Sequence, residues 1–222
     1  MADAKLAVNI LPPNIKRVQV KIVGQRPLIM NRWPEKARKE MLDKHMGKAI
    51  AKKKQPKRPK KIFEASLHVF KKGEFTYLGD KIGRGEVLFT GKLGIPAHAI
   101  KSAIVSATRN TGAKIATLLK GAVFIRGSTN DLIPIEYETL RLREDMVRLS
   151  GIGRNPDIRF RGEISGWSAD IPIEFNGDVL TLEQVVNLLA IAGFSVGLLE
   201  MRPDKTGFDY GTFVVQKPKG DK

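Results

Sequence analysis

The stretch WSADIPIEFNGDVLTLEQVVNLLAIAGFSVGLL, residues 167–199, decides the fold. Residues 167–174 read as a strand and Asn176, Gly177 and Asp178 as the turn that ends it. Thr181 and Gln184 then form a capping box: a hydroxyl at the helix start and an amide three residues on satisfy two otherwise unpaired backbone N–H groups. The predicted helix carries Leu182, Val185, Val186, Leu188, Leu189 and Ala192 along one face, and Gly193 is read as its close. Residues 194–199 and 211–215 read as two further strands, joined by a polar loop that holds Arg202, Lys205 and Gly207. Strand, helix, strand and strand in this order predict an α+β fold, an antiparallel sheet with helices on one face, of the ferredoxin-like kind.

Upstream, the same alternation recurs. Residues 17–23 set Val18, Val20 and Ile22 against Arg17, Gln19 and Lys21, which gives one apolar and one basic face. Residues 63–70 and 74–78 read as strands, with Lys71, Lys72 and Gly73 as a hairpin turn between them. Residues 79–91, punctuated by glycine, read as an irregular connection. A helix is predicted from about residue 97 to 109, opened by Pro96 and burying Ile100, Ala103, Ile104 and Ala107. Residues 119–126, 132–137 and 139–149 read as strands. In residues 157–161, Ile158 and Phe160 are expected to point inward, and Arg159 and Arg161 to share the opposite, solvated face.

The chain of 222 residues carries 39 Lys and Arg against 23 Asp and Glu, a formal charge of +16. Such an excess implies a polyanionic partner, because each phosphate neutralised by Lys or Arg releases condensed counterions. The charge is densest in residues 52–61, KKKQPKRPKK, where seven basic residues and two prolines leave no apolar side chain. Lys52, Lys53, Lys54, Lys57, Arg58, Lys60 and Lys61 are therefore predicted to form an exposed arm that orders on its partner. Residues 34–51 before it read as a Lys-rich helix opened by Pro34.

The chain has no cysteine, which excludes disulfides, thiolate metal sites and thiol nucleophiles. Residues 1–11 are too short and polar for a signal peptide, and no stretch approaches the ~18 apolar residues of a spanning helix. The expected location is the cytoplasm, with no membrane partner.

Two segments resemble a known family. Residues 193–197 (GFSVG), 202–207 (RPDKTG) and 210–213 (YGTF) are similar to the glycine-rich ending of the RAMP superfamily, the RNA-binding proteins of CRISPR effector complexes and their relatives. Residues 94–104 (GIPAHAIKSAI) are similar to that family's Ile-Pro-Gly-Ser-Ser-Leu-Lys-Gly helix opening, with Lys101 at the family's lysine and Ala97, His98 and Ala99 where Gly and Ser are usual. The resemblance implies a single RRM-like domain over residues 1–222, with residues 31–61 as a basic helical or loop insertion. It further implies backbone subunits that polymerise along single-stranded RNA, within a ribonucleoprotein complex or in a phage-encoded relative.

Catalytic signatures are sparse. His45, His68 and His98 have no metal-ligand spacing, and there is no P-loop, nucleotide-binding glycine fingerprint or Gly-x-Ser-x-Gly. His98 beside Lys101 is the one local pair with acid–base potential. Among the aromatics, Trp33 and Phe208 are expected to be exposed.

The sequence thus predicts a non-catalytic protein, without cofactor, that binds single-stranded RNA or DNA, RNA favoured, in several copies along the strand. Its groove would use the basic residues of 52–61 with Lys101, Arg159, Arg161, Arg202 and Lys205. A metal-independent RNA endonuclease of the same fold, and a phage protein that binds or anneals single-stranded DNA or coats duplex, are the alternatives.

Overall fold

The computed structural model describes residues 11–47, 56–79, 84–148 and 156–216. In chain order, β1 (Ile15–Gly24) and β2 (Leu28–Met30) are followed by α1 (Glu35–His45) and α2 (Pro59–Ser66). Four strands come next, β3 (Val69–Lys71), β4 (Phe75–Leu78), β5 (Gly85–Phe89) and β6 (Lys92–Pro96), the last running directly into α3 (Ala97–Ala107). Then come α4 (Ala116–Ala122), β7 (Val123–Ile125), β8 (Leu132–Pro134), β9 (Thr139–Arg148), β10 (Pro156–Ser165) and β11 (Ser168–Asn176). The chain closes with α5 (Leu182–Ile191), α6 (Pro203–Thr206) and β12 (Phe213–Val215).

The fold is α+β with antiparallel sheets. One sheet has the order β12-β1-β11-β7, a second β2-β10-β9-β5-β4, and a third β3-β6-β8. Helices α3 and α5 lie against each other, and their Ile100, Ile104, Val185 and Leu189 join Val20, Ile22, Ile171 and Ile173 of β1 and β11 in one buried core. The alternation of β1 holds as read, with Arg17, Gln19 and Lys21 exposed. The capping box at Thr181 and Gln184 is formed, each side chain bonded to the other's backbone N–H.

The first departure from the sequence reading is at residues 63–70, which are not one strand. Helix α2 runs to Ser66, because Pro59 can occupy the first helical turn and Phe63 and Ser66 recur at helical spacing. The arm at residues 52–61 accordingly ends in this helix rather than in a loop. Residues 52–55, with Lys52, Lys53 and Lys54, lie outside the described residues.

Nor do residues 71–73 make a hairpin: β3 pairs with β6, and β4 with β5. Gly73 instead passes so close to Gly91 that a Cβ would meet its backbone nitrogen at 2.1 Å. Within residues 79–91, read as irregular, β5 forms and buries Val87. Residues 119–126 divide between α4 and the short β7.

Residues 194–199 are not a strand either. Helix α5 continues into a π-helical turn at Ala192–Val196, and Gly197, at φ +70°, ends it. Gly193 does not close the helix; it lets the turn approach β12, where a Cβ would stand 2.2 Å from the Phe213 carbonyl oxygen.

Candidate nucleic-acid interface

Helix α2 is anchored by its apolar face. Phe63 is fully buried and meets Phe75 and Tyr77 edge-on, at centroid distances of 6.2 and 6.1 Å, while Leu67 packs over Gly162 of β10. With one face held, the helix presents its basic start to solvent. Lys57, Arg58, Lys60 and Lys61 line a cleft of about 430 Å³ together with Arg84, at the entry to β5, and Tyr77 of β4. Glu86 is the one acidic residue among those that line it.

Two cations of this cleft, Lys57 and Lys60, are oriented by contacts. The Lys57 ammonium donates to the Asp157 carboxylate and, at 2.8 Å, to the Ile158 carbonyl oxygen, which ties the start of α2 to β10. The hydrogen bond from Lys57 is also the main reason the Asp157 carboxyl lies below its ordinary pKa. Lys60 sits 4.5 Å above the centre of the Tyr77 ring, and the Tyr77 hydroxyl donates to Glu64 at 2.7 Å. Burial first, then the Glu64 carboxylate, pushes the Tyr77 phenol above its usual range. An exposed ion pair such as Lys57–Asp157 contributes only about 0–1 kcal/mol, so a phosphate can replace the carboxylate at little cost.

The other candidate residues are scattered. Lys101 donates to the Lys120 carbonyl oxygen at 2.8 Å and lies 4.1 Å from the centre of the Phe124 ring, so it caps the end of α4. It does not line the cleft that His98 lines. Arg159 is half-buried on β10. Arg161 is not on a solvated face: its residue is 5% exposed, its guanidinium donates to Asp145 at 3.3 Å, and its Nε has no partner. Ile158, expected inward, is 44% exposed.

Arg161 belongs to a closed network. Cross-strand from it, Arg143 donates to Asp145, Glu163 and the Tyr210 hydroxyl at 2.7–2.8 Å. Burial alone would lower the Arg143 pKa, but the bonds to Tyr210, Asp145 and Glu163 outweigh it and hold the guanidinium charged. This network fastens β9 and β10 to the loop before β12.

Arg202 donates to the Leu199 carbonyl oxygen and lines a second cleft, whereas Lys205 is bound to both carboxylate oxygens of Glu200. Leu199 and Met201 hold φ of 60° and 57° on either side of Glu200, whose N–H donates to Ile29. Left-handed conformations at non-glycine residues are costly and gather where a loop serves a site. Trp33 and Phe208 are exposed, at 62% and 54%, as read.

Arg84 and His68 line these clefts without being predicted as site residues, and Tyr77, read as one of several rings near basic stretches, joins the first. Arg84 lies within residues 79–91, read as irregular, and Tyr77 just before them; the apolar run Val87–Leu88–Phe89 is the signal for the strand that forms there. His68 falls within residues 63–70, read as one strand, and lies in the connection between α2 and β3. Among the described residues, no group of three or more His, Asp and Glu could hold a metal ion, and no helix is long and apolar enough to cross a membrane. The chain matches no protein-family model and no curated protein.

Proposed function

We propose that this chain is an RRM-like protein of RAMP type that binds single-stranded nucleic acid, RNA ahead of DNA, without cleaving it, in several copies along the strand. One observation carries the reading: five cations, Lys57, Arg58, Lys60, Lys61 and Arg84, converge on one cleft. Several positive charges gathered on one cleft suit the repeated charges of a phosphate backbone. Exposed Trp33 and Phe208 offer rings on which bases can stack.

The fold supports the same reading. Set apart from the elements inserted between them, β1, α3, β7, β11, α5 and β12 occur in the order strand, helix, strand, strand, helix and strand, the succession of a ferredoxin-like domain. The glycine-rich segment of the resemblance lies where this succession ends, at the π-helical turn and β12. Contacts between copies would draw on the exposed Met41, Leu42 and Met46 at α1, Phe194, and Met146 of β9.

The test compares affinity for single-stranded RNA, single-stranded DNA and duplex of equal length across salt concentrations. Tighter binding of single strands, falling steeply with salt, is expected. Preference for duplex would move the assignment to a duplex-coating protein, and affinity indifferent to salt would sink it.

A further inference from the structure

Beyond the basic cleft, a second one of about 280 Å³ opens between the residues that follow β2 and α2, the first turns of α3, and the strained segment around Glu200. Its polar groups come from four separate parts of the chain: Asn31, His68, His98 with Ser102, and Arg202. Helix α3 contributes only small side chains besides His98, so the floor stays open. The single acid on its wall, Glu200, has both oxygens taken by Lys205 at 3.0 and 2.9 Å; Arg202 lines the cleft and Arg32 lies near enough to act on His68, and among the described residues neither is paired with a carboxylate.

The chemistry of these groups is mixed. Burial first, then the charges of Arg32 and His98, lowers His68 to about 4, so near pH 7 its ring is neutral and offers one donor and one acceptor nitrogen. The Asn31 amide and the Ser102 hydroxyl likewise both donate and accept. Paired donors and acceptors suit the edge of a nucleobase, and a guanidinium suits a phosphate. The volume sits near the lower bound of small-ligand pockets, roughly 300 Å³, which admits one nucleotide-sized ligand rather than an oligonucleotide.

Position adds to chemistry. The basic cleft lies at the first turn of α2, and His68 follows two residues after its last, so the eight residues of α2 separate the two sites by about 12 Å. We infer that the second cleft takes a single nucleotide, with its base against Asn31, His68 and Ser102 and its phosphate toward Arg202 and Arg32. The nucleotide can be a unit of a strand held in the basic cleft, which rests on the function proposed above, or a free mononucleotide, which does not.

With three histidines in the chain, imidazole proton resonances of the full-length protein report the site directly, and His45 on α1 serves as the control. Each of the four nucleoside 5′-monophosphates, inorganic phosphate and a single-stranded oligonucleotide would be titrated in turn. At least one monophosphate should move His68 and His98 saturably, more than phosphate does, and leave His45 in place. Asn31→Ala and Ser102→Ala, checked for an unchanged fold by the remaining resonances, should each weaken that response about tenfold. Replacing Lys57, Arg58, Lys60 and Lys61 by Gln should abolish the response to the oligonucleotide and spare that to the monophosphate. If the oligonucleotide binds but neither it nor any monophosphate moves His68 and His98, the inference is overturned while the basic cleft stands. Equal movement of His45, or indifference to both substitutions, overturns it as well.

Discussion

At the scale of single residues, charge and burial decide more than residue type. Arg159 and Arg161 occupy alternate positions of one strand, and alternation alone assigns both to the same solvated face. The structure separates them, because Arg161 sits cross-strand from Arg143 and shares Asp145 with it. No local pattern announces a charge network whose members are distant in the chain, so this part of the candidate site was not legible. Asp145→Ala should cost about 3–5 kcal/mol, since it leaves a buried guanidinium uncompensated; chemical denaturation measures it, and a loss under 1 kcal/mol would show the network to be dispensable. His68 gives a pH test. Its folded-state value of about 4 lies below the ordinary 6.5 of histidine, so the stability it contributes is present above pH 6.5 and is lost as pH falls toward 4. That contribution is at most roughly 3 kcal/mol, and His68→Leu should flatten the acid limb of the stability curve; an unchanged limb would place the imidazole in water.

At the scale of elements, the segments with several agreeing signals were read correctly. The capping box, the burial of Val185, Leu188 and Leu189 on α5 and the Pro96 entry to α3 each combine local chemistry with period, while Leu182 of the same predicted face is exposed. Errors fell where a short apolar run fits either period: residues 62–70 can alternate as a strand or repeat as a helix, and the packing of Phe63 and Leu67 on β10 and β4 selects the helix. Helix α2 therefore separates stability from binding. Phe63→Ala should destabilise by about 3–5 kcal/mol. Lys60→Gln with Lys61→Gln, on the outer side of the same helix, should change stability by about 0.5 kcal/mol or less yet weaken strand binding. Thermal melts and fluorescence anisotropy distinguish the two, and a double variant that binds as tightly as the parent would remove α2 from the interface.

At the scale of the whole molecule, the formal charge of +16 is the ground for proposing a polyanionic partner, and the fold gathers part of that charge at one cleft. The α+β class and the site's basic residues 57–61 were legible because composition and period carry them. The cleft itself was not, since Arg84 and Tyr77 reach it through the pairing of β4 with β5 and of β5 with β9, which only the assembled sheet brings about. The central claim is that this cleft grips a phosphate backbone. The most direct measurement is the salt dependence of affinity for a single-stranded RNA, for the parent chain and for a variant with Lys57, Arg58, Lys60, Lys61 and Arg84 changed to Gln. Log affinity should fall linearly with log salt, and the variant's slope should be shallower by about 0.7 for each phosphate it no longer engages. A variant that folds normally and keeps the parental slope would contradict the account.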